Sequence, residues 1–291
     1  MKKIMIRVFK ILLIISLLQL ILFASDMKTI TWEFANEPPT SFEKNGKYVG
    51  FGIEIIKDIQ NKMPQYKHQL RMVGNYKRLV KELKYGSLTC AINLFKTKER
   101  LEYMYFSKVP IFFSFDLQIV LRKTTFEELG KPKKISLKQL LNMKNLKFGT
   151  SFGRTYSKNI RNILKEYEGN SNIFSYAQSN VASSLLKMLV RNRFDYMFLY
   201  PEEAFYLSKN IDKANDLVTV PIEETGSFSH TWAVCSKNED GQIVANNITT
   251  ILEELRKEKK YMNYYVNVIS KNLHSYYKKH FENTYLKIYE Q

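Results

Sequence analysis

The hydrophobic pattern of this chain switches repeatedly between a period of two and a period near 3.6. Residues 28–34 alternate and are rich in β-formers, so they predict a strand, which Glu37-Pro38-Pro39 breaks. After a turn at 48–52, Ile53, Ile56, Ile59 and Met63 keep helical spacing. Residues 68–73 predict a second strand and 88–94 a third. Between them, 76–85 predicts a helix with Leu79, Val80 and Leu83 on one face. This βαβαβ opening predicts an α/β fold. A second alternating run follows. It has strands at 115–121, 146–150, 173–176 and 194–199, and helices at 136–143, 156–167, 183–190 and 201–208. The last strand signals fall at 217–220 and 230–235. Helical stretches at 242–257 and 261–289 close the chain. No fixed-period repeat and no low-complexity linker divides the two runs.

The segment before the first strand has another character. Lys2, Lys3, Arg7 and Lys10 precede an apolar run at 11–23, broken only by Ser16 and Gln19. Phe23-Ala24-Ser25 then offers small residues for cleavage. Residues 1–25 are therefore expected to be a signal peptide, and the mature chain periplasmic or secreted. The apolar run is short beside the roughly 20 residues of a membrane span, and an uncleaved anchor is the alternative. No cysteine near the cleavage point offers a lipid attachment. No later segment reads as a membrane span.

Composition narrows the function classes. A hydrophobic share of 45%, with 19 Phe and 19 Tyr, is ample for a packed core and argues against disorder. The length suits two modest α/β lobes or one large domain. The net charge is +17, from 45 basic and 28 acidic side chains. The basic residues are dispersed, however, so nucleic acid is not the expected partner. His68, His230, His274 and His280 are scattered, and no His-Glu-x-x-His occurs, so neither metal nor cofactor is expected. No Gly-x-Ser-x-Gly is present and neither cysteine has a histidine nearby in sequence. Cys90 and Cys235 are either a disulfide, favoured by an oxidising compartment, or two separate buried thiols.

The chemistry concentrates at 86–110. Thr97 stands where a helix N-cap belongs, with Glu99 and Arg100 in the first turn. Arg100 is thereby held near the C-terminal end of the third strand, the edge where open α/β sheets bind ligands. A guanidinium there offers a planar fork of donors to a carboxylate. The plainer alternative pairs Arg100 with Glu99 or another acid. In the second run, Phe152-Gly153-Arg154-Thr155-Tyr156 opens a helix and attracts anions, unless Arg154 is simply solvated. The spacing is too short for a P-loop and the lysine is missing.

Four landmarks in order resemble the extracellular solute-binding proteins of family 3, the type 2 periplasmic binding fold. They are Gly46-Lys47-Tyr48-Val49-Gly50-Phe51, then Leu83-Lys84-Tyr85-Gly86, then Thr97-Lys98-Glu99-Arg100 with Phe106-Ser107 and Pro110, and last Arg193-Phe194-Asp195-Tyr196. The resemblance implies two α/β lobes around a central cleft, joined by two hinge-crossing strands. Lobe one would be 26–118 plus 227–291, and lobe two 119–226. It implies a monomeric, non-catalytic protein that captures a small anionic, carboxylate-bearing ligand for an ABC transporter permease or a sensor. Arg100 takes the family's carboxylate-binding position. Asn93 and Phe95 fall at the same strand end, Phe34 and Glu37 after the first strand, and Tyr76 after the second. Lobe two would supply Arg154 and Thr155. Tyr200 stands where amino-acid binders usually carry an acid, with Glu202 as a substitute, and Phe34 stands where an acid is expected after the first strand, which together argue against an ordinary α-amino acid. The same fold makes Cys90 and Cys235 neighbours and implies a disulfide. A dehydratase of cyclohexadienyl type on this fold is the alternative, with Glu37 or Glu202 as general acid.

Overall fold

The computed structural model describes residues 27–74, 76–151, 154–176, 181–212 and 216–288. The expected signal peptide at 1–25 and the Phe152-Gly153 pair lie outside them. β1 (Thr29–Ala35) leads through a hairpin, β2 (Phe42–Lys44) and β3 (Lys47–Val49), into α1 (Phe51–Asn61). Gly50 permits this entry. Its φ is +124°, and a Cβ there would collide with the Thr40 carbonyl. β4 (Lys67–Val73), α2 (Tyr76–Tyr85) and β5 (Thr89–Leu94) follow, then α3 (Lys98–Leu101), β6 (Met104–Phe106) and β7 (Phe112–Phe115).

The chain next builds a second sheet. Its strands are β8 (Gln118–Arg122), β9 (Phe148–Ser151), β10 (Ile173–Tyr176), β11 (Tyr196–Leu199) and β12 (Leu217–Pro221). The helices among them are α4 (Lys123–Glu128), α5 (Leu137–Asn142), α6 (Lys158–Glu166), α7 (Val181–Val190) and α8 (Pro201–Ser208). β13 (Phe228–Ser236) returns to the first sheet, and α9 (Glu239–Leu255), α10 (Lys259–Val266) and α11 (His274–Asn283) follow.

The first sheet runs β4-β1-β5-β13-β6, with β7 also paired to β13. β1 is parallel to β4 and β5, and β13 is antiparallel to its neighbours. The second sheet runs β10-β9-β11-β8-β12. Each sheet has its own apolar core. The result is a two-lobed α/β fold.

The alternation at 115–121 predicts one strand, but there are two, broken at Asp116 and Leu117. β7 pairs in the first sheet and β8 in the second, so the chain must change sheets between them. The Asp116 amide donates to the Ser227 carbonyl at 3.1 Å, which brings the two crossing segments side by side. The predicted helix at 261–289 also divides, because Ser270 is extended between α10 and α11. The break lets tyrosines from both halves reach one stretch of the first lobe. Tyr261 donates to the Ile111 carbonyl. Tyr277 donates to the Phe113 carbonyl and Tyr285 to that of Pro110, each at 2.8 Å.

Cys90 and Cys235 sit directly opposite each other on β5 and β13 and form a disulfide. The bridge closes 145 residues, including the whole excursion through the second sheet. In the chain-entropy description such a loop stabilises the fold by about 5 kcal/mol.

Candidate ligand-binding cleft

A cavity lies between the lobes at the C-terminal ends of β1 and β5. Three of its residues follow from the local fold of one chain segment. Thr97 caps α3, its hydroxyl accepting from the Arg100 amide at 3.2 Å. The cap starts the helix three residues after β5 ends and turns Arg100 back towards the strand end. The Arg100 guanidinium then donates to the Phe95 carbonyl at 2.9 Å. The residue is 7% exposed, and among the described residues no carboxylate forms an ion pair with it. Burial pushes its pKa down, Tyr103 and Tyr76 oppose this, and the Arg161 charge adds to it. Asn93, with φ +65°, ends the strand in the left-handed region that asparagine tolerates. Its amide donates to Glu37 at 3.3 Å and accepts from Thr231 at 2.9 Å. Tyr76, at the start of α2, also donates to Glu37.

The facing wall comes from the second lobe. Arg154 is 12% exposed in its side chain and pairs with Glu203 at 2.9 Å and Glu37 at 3.3 Å. Glu203 belongs to the second lobe and Glu37 to the first, so this guanidinium joins the two walls. It also lies over the Tyr200 ring, 5.2 Å from the centroid. Burial opposes the Arg154 charge, yet the Glu203 and Glu37 carboxylates outweigh it and raise its pKa well above the usual arginine range. Glu203 is placed by helix capping. As the third residue of α8 it reaches back to accept from the Tyr200 amide at 3.0 Å, which brings the carboxylate to the end of β11.

Glu202 is the third acid. It is 6% exposed and accepts from Tyr265 of α10 at 2.6 Å, a second link between the lobes. Burial pushes its pKa up to about 8, against the Tyr265 hydrogen bond. Thus the cavity contains no acid at Tyr200 but three close to it, Glu37, Glu202 and Glu203. The free space between these groups is about 40 Å³.

Arg100, Asn93, Phe95, Glu37, Tyr76, Arg154, Thr155 and Tyr200, all expected from sequence, line this one cavity. Phe34 does not. β1 is covered on both faces, and Phe34 packs in the first core edge-on to Tyr48. Sequence reasoning missed Thr40, Phe51, Phe112, Ser114, Glu203, Ser229 and Thr231, which also line it. A signal for part of this set exists. Phe112 and Ser114 alternate on β7, Ser229 and Thr231 on β13, and the register pairs Ser114 with Ser229 and Phe112 with Thr231. The two small hydroxyls meet at 3.3 Å.

Two α/β lobes enclosing a charged cavity at a sheet switch define a protein built to hold a small solute in a cleft. The comparisons agree at the level of family. The model for bacterial extracellular solute-binding proteins, family 3, matches residues 30–271, and the chain belongs to that family. No match was found among curated proteins. Among solved structures, an ancestral arginine-binding protein bound to arginine is similar at 24% identity and a TM-score of 0.63, over 84% of this chain and 100% of that one. A structure from work on glutathione import by GshT and the cystine importer TcyBC of Streptococcus mutans has 16% identity and a TM-score of 0.66, over 83% and 94%. The ancestral amino-acid-binding protein AncCDT-1, a precursor of cyclohexadienyl dehydratase, has 20% identity and a TM-score of 0.61, over 84% and 96%. At these identities the likeness speaks to the fold.

Proposed function

We propose that this protein is exported and captures a small carboxylate-bearing solute of the amino-acid class between its lobes, for an ABC transporter permease or a sensor. Arg100 carries the reading. It is a buried guanidinium at a strand end, with a backbone carbonyl but no carboxylate as partner among the described residues. A ligand carboxylate would supply charge-assisted hydrogen bonds there, supported by Thr155 across the cleft. The acids favour an ammonium as the second group. Glu37 and Glu203 share the single Arg154, and Glu202, whose pKa burial pushes up to about 8, also lines the cavity. Tyr76, Phe95 and Tyr200 supply flat apolar surface. The expectation of a ligand unlike an ordinary amino acid rests on Tyr200 and on Phe34 standing where acids are expected, and the three acids that line the cavity, Glu37, Glu202 and Glu203, weaken it.

A thermal-shift screen followed by calorimetry tests this, using amino acids, dicarboxylates, small peptides and aromatic acids. The expected result is stabilisation by an amino acid, lost in Arg100→Ala and weakened for the matching 2-oxo acid. Unchanged affinity in Arg100→Ala would remove Arg100 from the site. A second reading, a dehydratase, is favoured by one observation: Glu202 lies buried in the cavity, and burial pushes its pKa up to about 8, which suits a general acid. Turnover of prephenate or arogenate that disappears in Glu202→Gln is its signature, and recovery of both unchanged rejects it.

A further inference from the structure

Beside the inner cavity lies a second, much larger one, also between the lobes. Its volume is about 760 Å³, against about 40 Å³ inside. Tyr76, Arg100 and Thr155 line both, so the two adjoin and Arg100 stands at their boundary. The outer chamber is strongly one-signed. Lys77, Lys96 and Lys98 line it from the first lobe, and Lys158 and Arg161 from the second, with Glu99 as the acid present. Lys96, Lys98 and Lys158 are exposed, and none of them is in an ion pair among the described residues. Arg161 is aimed by its own chain, donating to the Tyr156 carbonyl at 3.0 Å. Its charge is felt at Arg100, as expected of cations facing one space.

Like charges gathered from both lobes repel one another when the lobes approach, so this arrangement opposes closure of the cleft unless something anionic lies between them. A solute with one carboxylate on Arg100 leaves Lys96, Lys98 and Lys158 without an ion-pair partner among the described residues. We propose that this vestibule holds a second anionic group, so that the preferred solute carries at least two: a carboxylate at Arg100, and a carboxylate or phosphate between Lys98 and Lys158. This rests on the carboxylate reading of Arg100 and narrows it to acidic solutes.

The test is calorimetry on the intact protein at low and high salt, with alanine, glutamine, glutamate and O-phosphoserine as probes. A second anionic group should tighten binding at least tenfold over glutamine, and added salt should shrink that advantage. The glutamate and O-phosphoserine arms distinguish carboxylate from phosphate. Lys98→Ala/Lys158→Ala should reduce the advantage below threefold while leaving glutamine or alanine binding within threefold of its starting value. Arg100-dependent binding with no gain from the second charge overturns the vestibule and leaves the parent reading standing. So does a double variant that weakens every probe alike. If no carboxylate-bearing probe binds in an Arg100-dependent way, both fall.

Discussion

Arg100 and Arg154 line the same cavity, and the protein treats them in opposite ways. Arg100 is held by a helix cap and one backbone carbonyl, so its charge is left without an acid among the described residues. Arg154 is taken up by two carboxylates, one from each lobe. The same side chain is thus available for a ligand on one wall and committed to the protein on the other. The difference lies in the neighbours. The turn after β5 brings a lysine-rich loop beside Arg100, whereas α8 begins with Glu202 and Glu203 beside Arg154.

The largest effect expected from this contrast is on stability, and at Arg154. Arg154→Ala leaves Glu37 and Glu203 facing each other with side chains only 15% and 4% exposed. Breaking a buried pair from one side costs about 3–5 kcal/mol. Chemical denaturation should show a loss of that order, and Arg154→Met/Glu37→Gln/Glu203→Gln should recover most of it. Denaturation midpoints unmoved by Arg154→Ala would mean that Arg154 is as uncommitted as Arg100.

Arg100→Ala should do the reverse. Removing it breaks no ion pair and relieves the burial of a charge, so stability should change by less than about 1 kcal/mol. Binding of a carboxylate solute should weaken by roughly tenfold to a hundredfold, corresponding to about 1.5–3 kcal/mol for charged hydrogen bonds. Calorimetry on a probe that binds the unaltered protein reads this directly. If Arg100→Ala destabilises strongly and leaves affinity intact, the two arginines have exchanged roles.

Much of this was legible along the chain, and the parts that were not share a cause. Helix and strand periods, the Thr97 cap and the position of Arg100 are local properties, and the structure repeats them closely. α2 and α8 match their expected spans at both ends. Phe34 was misplaced because β1 is buried on both faces, and alternation cannot then say which side faces the cleft. Glu203 escapes a sequence reading that takes only Tyr200, with Glu202 as its substitute, at the end of β11. The capping rule held the missing information: an acid three residues into a helix folds back to its start, and here that start is the cleft. Ser114 and Ser229 become neighbours only when β13 returns from the second lobe beside β7, a pairing across 115 residues that no local pattern carries. The broken strand at Asp116 has the same origin, since the break follows from the change of sheet.

A third effect concerns Glu202, and it decides whether that acid competes for Arg154. Burial holds the Glu202 pKa at about 8 in the folded protein, against an ordinary value of 4.5. The folded state therefore keeps a proton that the unfolded chain has already released. The resulting contribution is fully present below pH 4.5 and is lost as pH rises towards about 8, with a slope of up to about 1.4 kcal/mol per pH unit. Glu202→Gln removes the titrating group but keeps an acceptor for the Tyr265 hydroxyl. Subtracting denaturation curves of this variant from those of the unaltered protein between pH 5 and 9 cancels the other groups. The difference should tilt against the unaltered protein as pH rises. A flat difference would mean that Glu202 is ionised throughout. Glu202 would then add a negative charge beside Arg154 and strengthen the hold on a ligand ammonium.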